Sequence, residues 1–314
     1  MKTLQSVIVL FAIVNAFFGC SQEKAVEQKN IGLQLYSLRD SILRDSITQD
    51  FTNINDIITR VGTMGYKYVE TANYSDGKFY GMAPGEFKAK LAENGMFALS
   101  SHAGRSLARN ISETQWDEVW AWWDQAIADH KAAGMKYIIT ASMPTPETLD
   151  DLKAYCDYYN KVGEKCNAAG LKFGYHNHAG EFEKQYPNPQ AENTEGAARR
   201  PRGIVWYDYM VENTDPAKVF YELDVYWAVM GRRSPVEVFK KFPGRFDVLH
   251  IKDAKELGES GMVGFDAIFK HIATSGAKYL IVEVERYDLP NFESVKVSLD
   301  YLNNAGFVKA DYSK

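Results

Sequence analysis

From Ile31 onward, an amphipathic segment, a glycine and a short apolar β-rich run follow one another repeatedly. The pattern appears at Met64-Gly65-Tyr66-Lys67-Tyr68-Val69, Asn94-Gly95-Met96-Phe97-Ala98-Leu99 and Ala133-Gly134-Met135-Lys136-Tyr137-Ile138. It returns at Ala169-Gly170-Leu171-Lys172-Phe173, Pro243-Gly244-Arg245-Phe246-Asp247-Val248 and Ser275-Gly276-Ala277-Lys278-Tyr279-Leu280. A glycine behind the last helical turn is a left-handed C-cap, and the apolar run after it reads as a buried strand. Helix, glycine, strand, repeated, is a βα series with a parallel sheet. The runs predict strands near 31–35, 67–70, 96–101, 136–140, 171–177, 219–224, 246–252 and 279–284. Helices are expected near 50–64, 84–94, 113–132, 147–169, 204–213, 233–242, 264–274 and 291–304. Eight strands, each followed by a helix, give an α/β fold, a single (β/α)8 TIM barrel over 31–314. An open doubly wound sheet fits less well, because Leu35-Tyr36-Ser37-Leu38 follows the first strand where a Gly-rich phosphate turn would stand. The polar stretch 184–203, with Pro187, Pro189 and Arg199-Arg200-Pro201-Arg202, is long for a βα loop and reads as a lid or rim.

The 314 residues are 46% hydrophobic and 25% charged, with a formal net charge of −5, which leaves no basic footprint for nucleic acid or anionic lipid. The N-terminus is a separate unit. Lys2 precedes the apolar run Val7 to Phe18, which ends at Gly19-Cys20 before the chain turns polar. That run is too short to span a bilayer and reads as a secretory signal over 1–19. Gly19-Cys20 resembles a bacterial lipoprotein cleavage box, so Cys20 is the expected lipidated first residue, with 20–30 as a polar tether. Phe17 and Phe18 depart from that box, and ordinary secretion with loss of Cys20 is the alternative. The expected product is an exported lipoprotein, in the periplasm or at the cell surface, touching the membrane only through its lipid. Cys156 and Cys166 lie ten residues apart in one predicted helix, about 15 Å and beyond disulfide reach. Both read as packing residues.

In such barrels the chemistry gathers at the C-terminal ends of the strands. Strand one offers Gln34 and Tyr36 there, strand two Glu70, and strand three Ser100, Ser101 and His102. Strand five offers His176 and His178, two residues apart and so on one face, with Glu181 beyond. Strand six offers Glu222 and Asp224 followed by Tyr226 and Trp227; strand seven offers His250, Lys252 and Asp253; strand eight offers Glu283 and Glu285. A single charged strand end says little. Asp224, His250 and Glu283, at corresponding points of three consecutive strands, form part of a ring of oxygen and nitrogen donors with strand five. Such a set, without thiolate, suits one divalent ion of Mn, Co, Mg or Zn; the bland alternative is an ion-paired barrel mouth.

The chain resembles the sugar phosphate isomerase/epimerase family, whose fold is the xylose isomerase-like TIM barrel. The resemblance is carried by Gly174-Tyr175-His176-Asn177-His178-Ala179-Gly180-Glu181-Phe182, Thr214-Asp215-Pro216, Glu222-Leu223-Asp224-Val225-Tyr226-Trp227 and Val248-Leu249-His250-Ile251-Lys252-Asp253, with Glu283. It covers nearly everything after residue 30. It implies one divalent metal held by a strand-five carboxylate, an Asp, a His and a Glu. Asp224, His250 and Glu283 match the last three. The first position departs, since His176 stands where relatives carry Glu, and His176, His178 and Glu181 compete for it.

The chemistry implied is removal of the proton next to a keto-sugar carbonyl, with a bound metal stabilising the charge that develops. Family members use a metal-coordinated Glu as base, which points to Glu283. Lys252 and His102 are candidates for the acid or oxyanion partner. Lys252 could instead pair with Asp253, and His102 could be structural. Tyr36, Glu70, Tyr226 and Trp227 are expected to shape the sugar pocket or, for the aromatics, to pack the barrel. Exported relatives resemble enzymes that expel the aglycone of 3-keto-glycosides, so a 3-keto-glycoside lyase or hydrolase is the leading expectation. A keto-sugar isomerase or epimerase is the alternative, and a non-catalytic carbohydrate-binding lipoprotein is the reading from another class. The partner is a small keto-sugar or keto-glycoside; a homo-oligomer is compatible with the sequence. Cleavage of abasic DNA, known for some relatives, is disfavoured by the acidic charge and the export signal.

Overall fold

The computed structural model describes residues 29–48, 50–107, 112–185 and 203–313. The signal, Cys20, most of the tether and the Arg199–Arg202 cluster lie outside the described residues. Eight parallel strands form the barrel: β1 (Ile31–Gln34), β2 (Tyr68–Thr71), β3 (Phe97–Ser101), β4 (Tyr137–Thr140), β5 (Lys172–His176), β6 (Val219–Asp224), β7 (Val248–Lys252) and β8 (Tyr279–Glu283). Their hydrogen-bonded order is 3-2-1-8-7-6-5-4. The β3–β4 seam is closed by the His102–Ile139 bridge, with Ala103 N donating to Ile139 O (2.9 Å) and Lys136 N to Leu99 O (2.9 Å). Every strand begins and ends within two residues of its expected place.

The helices follow the expected order as well: Ile54–Met64, Pro84–Glu93, Glu113–Ala132, Leu149–Ala169, Trp206–Asn213, Pro235–Lys241 and Asn291–Asn304, with the seventh expected helix broken at His271 into Phe265–Lys270 and Ile272–Ser275. Gly170 shows how the repeat works. At φ 84° it takes the left-handed conformation behind Leu149–Ala169, and its N–H returns to Asn167 O and Cys166 O. Cys156 and Cys166 are both free and buried on that helix. Besides two 3-10 helices, Leu35–Ser41 and Gly180–Phe182, two features have no counterpart in the expected elements. A helix Val225–Met230 starts directly at the end of β6, and a short antiparallel ribbon pairs Lys184–Gln185 with Ile204–Val205 at the two feet of the long polar loop. Among the described residues, no helix is long and apolar enough to cross a membrane.

Alternation along the strands divides the interior into layers. Leu99, Tyr137, Ile139, Phe220, Val248, Tyr279 and Ile281 form a core inside the barrel, distinct from the larger core between strands and helices. Below it, buried Asp247 takes Lys172 Nζ (2.6 Å) and Lys278 Nζ (3.1 Å). Above it, toward the strand C-termini, the inward positions become polar. The chain enters the barrel through Lys29, whose buried amine donates to Leu302 O (2.7 Å) and Ala305 O (2.8 Å) at the end of the last helix.

His130, on the Glu113–Ala132 helix, is fully buried between the rings of Tyr74 (4.7 Å) and Phe79 (4.9 Å). Its Nδ1 donates to Ala126 O (2.6 Å), and its Nε2 has no hydrogen-bond partner among the described residues. Burial pushes its pKa down to about 4. A base whose folded pKa is depressed contributes stability above its unfolded value, near 6.5, that is lost as pH falls through the folded value. Lowering the pH from 7 to 4.5 should therefore remove about 2–3 kcal/mol through this residue. Urea unfolding of wild type and His130→Phe at both pH values checks this: the variant should lose less on acidification, and equal losses would refute the assignment.

Candidate active site

Residues two apart on one strand share a face, so the inward positions of each strand recur every second residue, and on β6 and β7 two successive ones are polar. On β5 these are Gly174 and His176; on β6 Phe220, Glu222 and Asp224; on β7 Val248, His250 and Lys252; on β8 Ile281 and Glu283. Register sets His176 beside Glu222, Asp224 beside His250, and Lys252 beside Glu283. The mouth therefore has two polar tiers: Glu70 and Glu222 with His102 below, and Asp224, Lys252 and Glu283 above.

His250 lies between the tiers. Its Nε2 is 2.6 Å from Glu70 Oε1 and 3.3 Å from Glu222 Oε2. Its Nδ1 is 3.4 Å from Glu283 Oε2 and 4.0 Å from Asp224 Oδ2. His102 Nε2 stands 3.0 Å from Glu70 Oε1 and 2.9 Å from Glu222 Oε2, and His176 Nδ1 is 3.2 Å from Glu222 Oε2. Gln34 Nε2 (2.8 Å) and Ser100 Oγ (2.5 Å) donate to the two oxygens of Glu70. In the upper tier, Lys252 Nζ donates to Glu283 Oε2 (2.9 Å), pairs with Glu285 Oε1 (2.6 Å) and lies 4.9 Å above the Trp227 ring. It does not pair with Asp253, whose carboxylate accepts from Ala254 N, Gly258 N and Ser260 Oγ in its own loop.

Burial and charge drive these groups apart. Burial pushes Asp224 up to about 7, against the pull of Lys252 and His250. Burial, reinforced by the charge of Glu70, also pushes Glu222 up to about 7. Burial acts on Glu70 and Glu283 in the same direction but is outweighed there. His102 and His250 hold Glu70 well below the carboxylate range; His250 and Lys252 hold Glu283 below it. Desolvation and the neighbouring cations hold His176 well below its ordinary value, so its imidazole is neutral.

One donor atom each from His176, Asp224, His250 and Glu283 lies within 4.8 Å of every other; the same holds for His102, His176, Glu222 and His250. Asp224 Oδ1 accepts from Trp227 N (2.8 Å), while its buried Oδ2 accepts no hydrogen bond among the described residues. A buried carboxylate oxygen without a donor, in a ring of two imidazoles and two carboxylates, is what a divalent ion satisfies. The residues fit such an ion.

The remaining expected residues are placed as follows. His178 has its ring 5.1 Å from that of His176 and 5.7 Å from that of Trp227, outside both four-donor sets. Glu181 faces away, because Tyr175 alternates outward; its oxygens accept from Tyr175 OH (2.8 Å) and His178 N (3.1 Å). Glu70 is fully buried. Tyr226 is buried against Trp227, with ring centroids 5.0 Å apart. Tyr36 is 44% exposed, under the Arg39 guanidinium. Glu222 belongs to the cluster, although the sequence assigns it no role beyond its place at the strand end and in the motif. The signal that finds it is its spacing of two from Asp224. A cleft beside His102, lined by Arg105, Thr140, Ser142, Met143 and Tyr155, adjoins the site.

Residues 58–305 match the family described as xylose isomerase-like TIM barrel. A solved sugar phosphate isomerase/epimerase from Parabacteroides distasonis is 35% identical, with TM-score 0.77, over 90% of this chain and 100% of that one. An inosose dehydratase from Geobacillus kaustophilus is 24% identical over 74% of this chain and 72% of its own length. The solved IOLI protein with a bound zinc atom shares the fold at 14% identity, with TM-score 0.60, over 87% of this chain and 95% of that one.

Proposed function

The chain belongs to the xylose isomerase-like TIM barrel family, and on that premise we propose that it is a divalent-metal-dependent enzyme that removes the proton α to the ketone of a sugar and then expels a β-substituent. The observation that carries this reading is the set of His176, Asp224, His250 and Glu283 donors within 4.8 Å of one another, with Asp224 Oδ2 accepting no hydrogen bond. Those four side chains would hold the ion. When bound, it supplies Lewis-acid polarisation of the substrate carbonyl. Zinc in one relative of this fold is consistent with such a set.

Glu283 is the base of this scheme. It is held ionised, the state a base needs, by His250 and Lys252, and it is 4% exposed at the mouth. Lys252 is the proton donor. Burial disfavours its charge, but Asp224, Glu283 and Glu285 outweigh burial and raise its pKa, so it stays protonated. In a 3-keto-glycoside the proton leaves C2 to Glu283, the C1–O bond breaks, and Lys252 protonates the departing oxygen. Aglycone and unsaturated keto-sugar are the products. Trp227 offers a ring face for the sugar, with buried Tyr226 packed behind it; His102 Nε2 is turned to Glu70 and Glu222. Two lines favour elimination: a dehydratase among the relatives, and the expected lipid-anchored export through Cys20, where glycosides rather than sugar phosphates are the available substrates.

The relatives named isomerase/epimerase favour a second reading, in which the same proton abstraction ends in reprotonation. The test is incubation of manganese- or zinc-loaded protein in D2O with a chromogenic 3-keto-glucoside and with free keto-sugars. Chelator-sensitive aglycone release is the expected result. Deuterium exchange at C2 without release would sink the lyase reading and leave the isomerase. Sugar binding without exchange, unaffected by chelator, would make the protein a carbohydrate-binding lipoprotein.

A further inference from the structure

We infer that Glu70 and Glu222 are positioning residues that decide which nitrogen each ligand histidine presents to the ion: Nδ1 for His250 and Nε2 for His176. This rests on the metal reading above and adds to it a layer of the site that never touches substrate.

A neutral imidazole has one N–H and one lone pair, so fixing the hydrogen on one nitrogen fixes the ligand atom as the other. For His250 the two sides differ sharply. Nε2 is 2.6 Å from Glu70 Oε1, a charge-assisted distance, whereas Nδ1 looks toward Glu283 Oε2 (3.4 Å) and Asp224 Oδ2 (4.0 Å). Without an ion, the surrounding carboxylates keep His250 protonated on both nitrogens; an ion displaces one of these protons, the hydrogen that stays belongs on Nε2, and the lone pair exposed on Nδ1 then faces the two upper carboxylates. For His176 the polarity is reversed: Nδ1 donates to Glu222 Oε2 at 3.2 Å, which frees Nε2.

Glu70 is built for this task. Gln34 and Ser100, its register partners on the neighbouring strands β1 and β3, occupy its two oxygens, and its side chain is fully buried, so it holds His250 rather than a sugar hydroxyl. Two buried carboxylates also need positive charge. His102 supplies it, within 3.0 Å of both and with its ring stacked on His250 at 5.2 Å and 18°. A carboxylate that orients a ligand histidine through its far nitrogen commonly affects metal affinity 10–100-fold.

One rival arrangement uses the lower donors. His102, His176, Glu222 and His250 could hold an ion among themselves, with Glu222, whose Oε1 has no hydrogen-bond partner among the described residues, as a ligand. That would require His250 to ligate through Nε2, the nitrogen already taken by Glu70.

The experiment measures zinc affinity by competition with a chromophoric chelator for wild type, Glu70→Ala, Glu70→Gln, Glu222→Ala and Glu222→Gln. Imidazole nitrogen NMR of the zinc-loaded, 15N-histidine-labelled wild type accompanies it. The Ala variants should bind zinc about 10–100-fold more weakly, and Gln, which still accepts an N–H, should recover most of the loss. The spectra should show Nε2–H at His250 and Nδ1–H at His176. Unchanged affinity in all four variants, or His250 bound through Nε2, overturns the inference while leaving the metal reading intact. A wild type that takes up no zinc or manganese overturns both. Thermal unfolding in chelator shows which variants fold, and if an Ala variant does not, the Gln variants and the wild-type spectra still decide.

Discussion

On the metal reading proposed above, Asp224→Asn should abolish divalent-ion binding and keto-sugar turnover while making the metal-free chain more stable, by up to about 4 kcal/mol at pH 8. The gain follows from burial. Asp224 is fully buried, and its pKa stands at about 7 against an ordinary 3.8. A group whose folded pKa is raised contributes its stability below the unfolded value and loses it as pH rises through the folded one. The metal-free wild type should therefore weaken between about pH 4 and pH 7, as a proton is forced off an oxygen that no donor meets. Asn removes the charge but keeps Oδ1, which caps the following helix through Trp227 N (2.8 Å), so the helix start is preserved. Urea unfolding in chelator at pH 5 and pH 8 reads the effect: the gap between variant and wild type should widen at the higher pH. A gap that stays constant would mean that Lys252 and His250, each 4.0 Å from Oδ2, already compensate the charge. Metal analysis of both proteins as purified, before chelator is added, should find the ion in wild type alone.

That cost places the site among those where function is held against stability. Four carboxylates (Glu70, Glu222, Asp224 and Glu283) are buried within one barrel mouth, and the protein balances them unequally. Glu70 and Glu283 receive cations and stay ionised; Glu222 and Asp224 are left near neutrality by burial. A divalent ion beside Asp224 would complete the balance.

Most of the barrel is legible in the chain because a parallel strand buried on both faces must be a continuous apolar run, and the helix before it must stop. Hence Val219–Asp224 and Glu113–Ala132 fall where the pattern sets them. The helix Val225–Met230 is hidden, because Tyr226 and Trp227 read as pocket aromatics and it follows β6 without a break. In the site, strand ends identify Asp224, His250 and Glu283, but the depth of each residue is not written in its type. Glu70 sits at the end of β2 like any mouth residue, yet Gln34 and Ser100 on the flanking strands take both of its oxygens. Glu181 restores a carboxylate on paper, but alternation sends Tyr175 outward and Glu181 with it. Period two applied strictly would place Glu222 beside Asp224 and detach Glu181 from both.

Beneath these charges the barrel depends on one large ring, and Phe220→Ala should cost about 3–5 kcal/mol, the range for losing a buried Phe. Phe220 sits two residues below Glu222 and packs edge-on against Tyr137, with centroids 5.0 Å apart. Its space exists because β5 carries glycine opposite it: a Cβ built on Gly174 would lie 2.5 Å from Phe220 Cζ and 2.6 Å from Cε1. Packing at this density makes the two positions complementary. Gly174→Ala alone should therefore be destabilising, by about 1–3 kcal/mol. In the Phe220→Ala background the same methyl enters the vacated volume and should be neutral or stabilising. The coupling between these substitutions, read from urea unfolding of both singles and the double, should thus be strongly favourable. Additive losses would mean that the backbones of β5 and β6 shift apart to admit the methyl. In that case His176 and Glu222, one turn of the alternation above, would move with them, and zinc affinity would fall in Gly174→Ala as well.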